Sequence, residues 1–273
     1  MVNAYYRPTR VDEALKLMKD ESNKNSPLAG GTTLALNSRG IDGLVDLSAL
    51  GFNYIQQDKK SLRIGATTPL REIQRSEPVR QFAGGIVAES AKNYLTALLR
   101  NRATLGGVLS AGNFWADIVT VLAALNASAK IRFFGDKTAA VSVEEFSQKG
   151  ARKSLAGGIL YEIEIPACET GCRCAYQRLA KVETDISILC AAAKVTLSNQ
   201  KIQTARVVVG NGSRPVKLHG LEQRIRGQSP AGAATIVAQL AGEIPAESDI
   251  RASAEYRKET AGVLVRRLFQ SIQ

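Results

Sequence analysis

Two glycine pairs, Gly30-Gly31 and Gly106-Gly107, constrain this chain more than any other feature of its sequence. Hydroxyl and small apolar residues flank both pairs, in the segments 28–34 and 103–107. Glycine lets the main chain approach a ligand closely, and successive N–H groups of such a turn can bind phosphate oxygens. Neither segment has the P-loop pattern or the Gly-x-Gly-x-x-Gly spacing. One glycine pair is usually only a turn, but two favour a diphosphate held between two loops.

The composition excludes several classes of protein. Hydrophobic residues make up 45% of the 273 residues, which is typical of a globular protein. No apolar run approaches the roughly 20 residues of a membrane-spanning helix. The single histidine, His219, argues against a histidine-rich metal site or a Ser-His-Asp triad, so we expect no catalytic residue and no metal ligand. Four cysteines behind an N-terminus without a signal-peptide pattern predict a cytoplasmic protein.

The net charge of +11 raises nucleic-acid binding as a competing hypothesis. The basic residues are scattered, however, and the aromatic residues, only 5% of the chain, do not alternate with them as in a base-stacking surface. We therefore expect no nucleic-acid partner. An acidic partner subunit or an anionic cofactor accounts for the charge equally well.

Hydrophobic periodicity predicts an α+β protein with three units, 1–57, 58–167 and 168–273. The boundary before the third unit falls in the polar, Pro- and Gly-containing stretch 166–172. The segment 187–193 could be a strand or the start of a helix, and the sequence leaves both open. The predicted helices are 11–19, 70–75, 82–99, 117–125, 231–240 and 252–269, and the predicted strands are 27–36, 43–47, 61–66, 130–134, 139–143, 158–165, 175–179, 191–197 and 202–210.

Several motifs, taken together, resemble the FAD-binding medium subunits of the molybdenum hydroxylases, the family of xanthine dehydrogenase and carbon monoxide dehydrogenase. The resemblance extends over nearly the whole chain and rests on the residues at 5–8, 29–32, 62–68, 102–107, 163–166 and 253–257. It implies a two-part FAD-binding domain of the vanillyl-alcohol-oxidase (PCMH) type, followed by a C-terminal α+β domain like that of carbon monoxide dehydrogenase flavoproteins. It also implies FAD as the cofactor, with an iron–sulfur subunit and a molybdopterin-binding subunit as partners and NAD+ or another electron acceptor.

The same resemblance assigns candidate cofactor-binding residues, with both glycine loops around the FAD diphosphate and ribityl chain. Asp117 matches an acidic residue that hydrogen-bonds the cofactor, and this interpretation is favoured over a helix N-cap or first-turn carboxylate. Tyr94 matches an aromatic residue near the flavin, or it packs in the core, and Leu160 matches an apolar cover over a ring of the cofactor. The predicted set is Leu28, Ala29, Gly30, Gly31, Thr32, Thr33, Leu34, Tyr94, Ala103, Thr104, Leu105, Gly106, Gly107, Asn113, Asp117, Leu160, Gln177 and Lys181.

This chain also departs from the family pattern. Val108 replaces the asparagine that usually follows the second glycine pair, and the residues 113–115 replace a Ser-Pro before Asp117. Gln177 stands where some members have a lysine that faces the flavin, and Lys181 or Arg178 could supply that charge. These differences leave two functional hypotheses: an FAD-dependent electron-transfer subunit, inactive on substrate alone, or a non-redox scaffold that has lost FAD.

Four cysteines, Cys168, Cys172, Cys174 and Cys190, raise the question of an iron–sulfur cluster, because such clusters are held by cysteine thiolates. The spacing Cys-x3-Cys-x-Cys fits no standard cluster pattern, and Cys190 lies in an apolar run. The sequence therefore favours three loop thiols and one buried cysteine.

Overall fold

The structure, a computed structural model, describes residues 2–20, 22–237 and 244–272. Within these ranges the chain forms three β-sheets with helices packed against them, which confirms the predicted α+β class. No helix in these ranges is long and apolar enough to cross a bilayer.

The first sheet is parallel and small, in the order β1-β3-β2. Its helix follows the predicted amphipathic pattern, with Ala14 and Leu15 fully buried against the sheet. The strand predicted over 27–36 is wrong beyond Leu28, because the chain turns at the first glycine pair and then forms one 3-10 turn, Leu34–Leu36. The elements are β1 (Ala4–Tyr6), α1 (Val11–Lys19), β2 (Asn25–Leu28) and β3 (Gly43–Asp46).

The second sheet is antiparallel, with five strands in the order β4-β5-β8-β6-β7. Its strands are β4 (Ile55–Gln57), β5 (Ser61–Gly65), β6 (Ser128–Arg132), β7 (Thr138–Ser142) and β8 (Ile159–Pro166). Because β4 pairs with β5, this sheet begins before residue 58, where the sequence places the start of the second unit.

Helices of the second unit surround this sheet. The single helix predicted over 82–99 is wrong, because Ala83 and Leu95 have positive φ angles of 50° and 46° that interrupt it. A 3-10 turn, Phe82–Gly85, and two short helices take its place. The helices are α2 (Leu70–Arg75), α3 (Glu77–Gln81), α4 (Ile86–Lys92), α5 (Ala97–Arg100), α6 (Leu105–Ser110), α7 (Asp117–Ala124), α8 (Val143–Lys149) and α9 (Ala151–Leu155).

The third sheet is antiparallel, in the order β12-β11-β10-β9. The ambiguous segment 187–193 enters β10 and is not helical. The last residues of the predicted helix 231–240, from 238 on, lie outside the described ranges. The elements are β9 (Cys172–Leu179), β10 (Leu189–Ser198), β11 (Lys201–Gly210), β12 (Pro215–Lys217), α10 (His219–Arg224), α11 (Pro230–Val237) and α12 (Ala254–Gln270).

Helix α7 joins the second and third units. All of its residues are buried, and it packs against β10 and β11 of the third sheet. Alternate residues of β10 face opposite sides. Cys190 and Ala192 belong to the same apolar cluster as α7, whereas Ala191 and Ala193 belong to the cluster of the C-terminal helices. One face of the third sheet therefore completes the core of the preceding unit.

Candidate functional site

A cavity of about 370 Å³ lies between the first two units and brings both glycine segments together. Of the predicted residues, those that line it are Leu28, Ala29, Gly30, Gly31, Thr32, Thr33, Leu34, Tyr94, Ala103, Thr104, Gly106, Gly107, Asn113 and Leu160. The segments 28–34 and 103–107, about 70 residues apart in the sequence, thus each form one wall of the same cavity.

The two segments touch each other directly. A Cβ atom on Gly30 would lie 1.8 Å from the carbonyl oxygen of Arg102, so only glycine permits this approach. Across the same junction the Asn113 amide nitrogen donates to the Thr33 hydroxyl at 3.1 Å. The relative position of the two loops is therefore fixed by sterics at one point and by a hydrogen bond at another.

The first glycine pair provides the unsatisfied backbone donors. Within the described ranges, the N–H groups of Gly30, Gly31, Thr32 and Thr33 donate to no protein acceptor. Gly31 has a φ of +74°, a left-handed conformation that favours glycine, and its carbonyl accepts from Ala35 at 2.8 Å. This loop presents free N–H groups at the cavity wall, as an anionic ligand requires.

The second glycine pair provides no free N–H donors, contrary to what the sequence suggests, and instead allows close packing. The N–H groups of Leu105 and Gly106 donate to the carbonyls of Thr68 and Ala66 at 3.1 and 2.8 Å. The Gly107 N–H donates to the Thr104 hydroxyl at 3.1 Å, which caps α6. A Cβ atom on Gly106 would lie 2.5 Å from that of Ala66, so this glycine permits close packing of α6.

Thr67 is a functional candidate that the sequence interpretation missed. It lines the cavity, and its buried hydroxyl has no hydrogen-bond partner among the described residues. A buried hydroxyl without a partner is costly, so a ligand that pairs with it gains affinity. Thr67 belongs to the motif at 62–68 that carries the family resemblance, and this was the available signal.

Tyr94 lies both in the core and on the cavity wall. It lines the cavity, yet its side chain is buried, and its ring stacks on Trp115 with the centroids 5.6 Å apart and the planes 13° apart. Burial raises the pKa of its phenol above the usual value, and a hydrogen bond with Asn113 opposes this rise. Tyr94 therefore remains protonated at neutral pH. Leu160 lies elsewhere on the wall, beside Gly158 and Ile159, where the lining is apolar.

Asp117 does not line the cavity. It is the first residue of α7, and its buried carboxylate accepts hydrogen bonds from the hydroxyls of Tyr176 and Ser187 and, at 3.0 Å, from Nε of Arg178. Burial, followed by the charge of Asp117, raises the pKa of Tyr176 and keeps its hydroxyl protonated. The carboxylate therefore holds the second unit to the third.

Three other predicted residues also lie away from the cavity wall. Leu105 is fully buried in the core of the second unit. Gln177 alternates with Tyr176 and Arg178 along β9, so it lies on the face that packs on the C-terminal helices. Lys181 is exposed in the loop after β9. Arg178, the alternative to Lys181 as the source of positive charge near the flavin, donates to Asp117 and to the carbonyls of Glu183 and Asp185, the last two at 2.9 and 2.8 Å.

Taken together, the fold and the cavity define a nucleotide-cofactor-binding α+β protein. The family described as "FAD binding domain in molybdopterin dehydrogenase" matches residues 1–168, and the family "CO dehydrogenase flavoprotein C-terminal domain" matches residues 174–272. The chain belongs to the FAD-binding medium subunits of the molybdenum hydroxylases and is thus an oxidoreductase component.

Named relatives agree with this assignment over nearly their full length. The chain is 24% identical to the glyceraldehyde dehydrogenase medium chain of Sulfolobus acidocaldarius, over 98% of each chain. It is 27% identical to the carbon monoxide dehydrogenase medium chain of Afipia carboxidovorans, over 96% of this chain and 94% of that one. Its fold matches a chain of reconstituted CO dehydrogenase from Oligotropha carboxidovorans with a TM-score of 0.86 and 24% identity, over 100% of this chain and 97% of that chain.

FAD is therefore the cofactor, and the hypothesis of a scaffold without FAD is not supported. The observed donors fit this ligand. The free N–H groups of the first loop and the hydroxyl of Thr67 suit the diphosphate, and the cavity also has an apolar wall suited to a flat ring.

Proposed function

We propose that this chain is the electron-transfer subunit of a three-component molybdenum hydroxylase. It takes electrons from the iron–sulfur clusters of one partner and passes them to NAD+ or another acceptor, while a molybdopterin-binding partner oxidises the substrate. When bound, FAD supplies the redox chemistry, and the protein binds it, orients it and sets its electrostatic surroundings. We also propose that the protein is cytoplasmic, because its four cysteines suit a reducing compartment.

The cavity between the two glycine segments is the observation that supports this proposal best. The residues from Gly30 to Thr33, whose N–H groups have no acceptor among the described residues, line this cavity, and the Thr67 hydroxyl adds a further unpaired group. We assign the diphosphate to these groups. Tyr94 and Leu160 provide the apolar surfaces for the rings.

Asp117 and Arg178 have a different role in this proposal. Both are engaged with protein groups at the junction of the second and third units, so they position the walls of the site and do not contact the cofactor. Leu105 packs behind the second loop in the same supporting role. Gln177 and Lys181 do not line the cavity, and we assign them no contact with the diphosphate.

The names of the relatives support the proposed partners. Two of them are medium chains of a glyceraldehyde dehydrogenase and of a carbon monoxide dehydrogenase, and another is subunit alpha of the 6-hydroxypseudooxynicotine dehydrogenase complex. These names imply larger and smaller chains in the same assembly. Because the named substrates differ between relatives of similar identity, we assign the choice of substrate to the molybdopterin-binding partner.

Co-purification from the native source, with each chain identified by mass, tests this proposal. The isolated chain is expected to be yellow, to pass electrons from its reduced cofactor to an artificial dye, and to oxidise no purine or aldehyde. Substrate turnover is expected only after both partners are added. Oxidation of a purine or aldehyde by the purified chain alone would contradict the subunit assignment.

A further inference from the structure

Three of the four cysteines converge at the seam between the second and third units. The Sγ atoms of Cys168 and Cys174 are 3.8 Å apart, as are those of Cys172 and Cys174. All three sulfur atoms lie within 4.8 Å of one another, and each residue is partly buried. The predicted loop position is wrong for Cys172 and Cys174, which lie on β9, whereas Cys168 lies in the segment before that strand.

A tight turn brings the third thiol back to the strand. The Cys172 N–H donates to the Glu169 carbonyl at 3.0 Å, and Gly171 has a φ of +79°, as a type II turn requires at its third position. A Cβ atom on Gly171 would lie 2.5 Å from the Leu197 carbonyl oxygen, so this turn is packed against β10. The convergence of the sulfur atoms is thus built into the fold of this segment.

We propose that Cys168, Cys172 and Cys174 bind one soft metal ion, Zn²⁺ or Cu⁺, through their thiolates. Thiolates select these ions over harder ones. Zn–S bonds of about 2.3 Å with tetrahedral angles place neighbouring sulfur atoms about 3.8 Å apart, so the two measured separations already suit a shared ion. Such a metal site does not depend on the electron-transfer role of the chain.

The surroundings of the three thiols suit a compact anionic centre. Lys194 pairs directly with Cys174 across β9 and β10, which puts its side chain on the same face of the sheet. Three thiolates around Zn²⁺ carry one net negative charge, which this ammonium group balances. The 3-10 turn Phe82–Gly85 packs on β9 beside the group, where a Cβ atom on Gly84 would lie 3.5 Å from the Cys174 carbonyl oxygen. The partial exposure of the thiols leaves a fourth coordination position for water.

Cys190 provides an internal comparison for this group. It pairs with Arg178 on the neighbouring strand, is fully buried in the core, and lies outside the thiol group. Burial raises the pKa of its thiol well above the usual value, so it remains a neutral core side chain. It therefore serves as a matched control, because its loss removes one thiol from the chain and none from the proposed site.

Metal analysis of the full-length chain, purified anaerobically with reductant, tests the proposal. We expect one Zn²⁺ or Cu⁺ per chain, and re-binding of one ion by the metal-free chain in competition with a chromophoric chelator. Separate Zn²⁺ and Cu⁺ titrations identify the preferred ion. Cys168→Ser and Cys172→Ser are expected to abolish this stoichiometric binding, whereas Cys190→Ala retains it. Circular dichroism and flavin content report whether each variant is folded, and Cys168→Ser, in the loop, keeps the test valid if a strand variant does not fold.

Four results would overturn the proposal. They are a wild-type chain that binds neither ion, unchanged binding in both serine variants, iron with inorganic sulfide in place of a single ion, and a disulfide between two of the three cysteines in the anaerobically purified chain. Mass spectrometry of the alkylated chain detects the last of these.

Discussion

The amide nitrogen of Asn113 donates to the hydroxyl of Thr33 at 3.1 Å and joins two loops that are 80 residues apart in the sequence. Thr33 follows the first glycine pair and Asn113 follows the helix that begins at the second. Both residues line the cavity. The bond therefore sets the spacing of the two cavity walls to which we assign the cofactor.

Asn113→Ala is expected to weaken FAD binding while leaving the melting temperature of the apoprotein nearly unchanged. One hydrogen bond between neutral groups contributes about 0.5–1.5 kcal/mol, which corresponds to a roughly two- to tenfold rise in Kd. Fluorescence titration with FAD measures this change, and Asn101→Ala, at an exposed position, is the control. In a double-mutant cycle with Thr33→Val, strictly additive effects would show that the bond does not couple the loops.

Gly31→Ala is expected to lower both stability and FAD occupancy, because its φ of +74° disfavours any side chain. The strain costs about 1–2 kcal/mol. Gly51→Ala is a matched control, since Gly51 has a φ of +73° and open space around it but lies away from the cavity. Equal loss of stability in both variants, with FAD binding reduced only in Gly31→Ala, is the expected result. Full flavin content in Gly31→Ala would show that the first loop does not bind FAD.

Asp117→Ala is expected to destabilise the apoprotein more than it weakens FAD binding. The change leaves the Arg178 guanidinium and two hydroxyls without their shared acceptor, and loss of one partner of a buried ion pair costs about 3–5 kcal/mol. Asp117→Asn keeps an acceptor oxygen and is expected to lose less. Chemical denaturation of the apoprotein and FAD titration give the two quantities. Weaker FAD binding at unchanged apoprotein stability would instead show that Asp117 contacts the cofactor.

Asp249→Asn is expected to reduce stability at neutral pH but not in acid. Partial burial raises the pKa of Asp249, but hydrogen bonds from Arg251 and Arg257 outweigh it and hold the pKa below the ordinary 3.8. A depressed carboxyl pKa contributes stability above the pKa of the unfolded chain, and this contribution is lost as the pH falls through the folded-state pKa. The difference in free energy of unfolding between wild type and variant should therefore shrink below pH 3.8. Asp136→Asn, at an exposed ion pair, is the control, and a difference that is constant with pH would refute the assignment.

Assembly with the proposed partner subunits is expected to slow as salt is raised. The net charge of +11 favours encounter with an acidic surface, and screening weakens this attraction at higher ionic strength. Stopped-flow mixing of the separate subunits measures the association rate. An association rate independent of salt would show that the charge serves another purpose.

Local patterns predicted the elements well where a single periodicity decides the structure. Helix α1 follows its amphipathic spacing, and α7 is a buried apolar helix as predicted. The break at Leu95 could not be predicted, because leucine rarely adopts a positive φ and nothing in its neighbours indicates that it does so here.

In the site as well, sequence motifs indicated the loops, but contacts between segments far apart in the sequence could not be predicted. The glycine pairs indicated the two loops, but the donors of Gly106 are satisfied by Ala66, a contact between segments 40 residues apart. The partners of Asp117 come from β9 and the following loop, so its interpretation required the tertiary structure. The convergence of Cys168 with Cys174 likewise depends on a turn whose direction the spacing alone does not fix.

Because α7 is buried against the third sheet, the boundary near residue 170 between the two matched families crosses a shared apolar core. A cut there would leave α7 with an apolar face in water and β10 with Cys190 and Ala192 exposed. The two halves should therefore melt together in one cooperative transition. For the same reason, exchange of the C-terminal half between distant relatives can succeed only if the matching surface of α7 is exchanged with it.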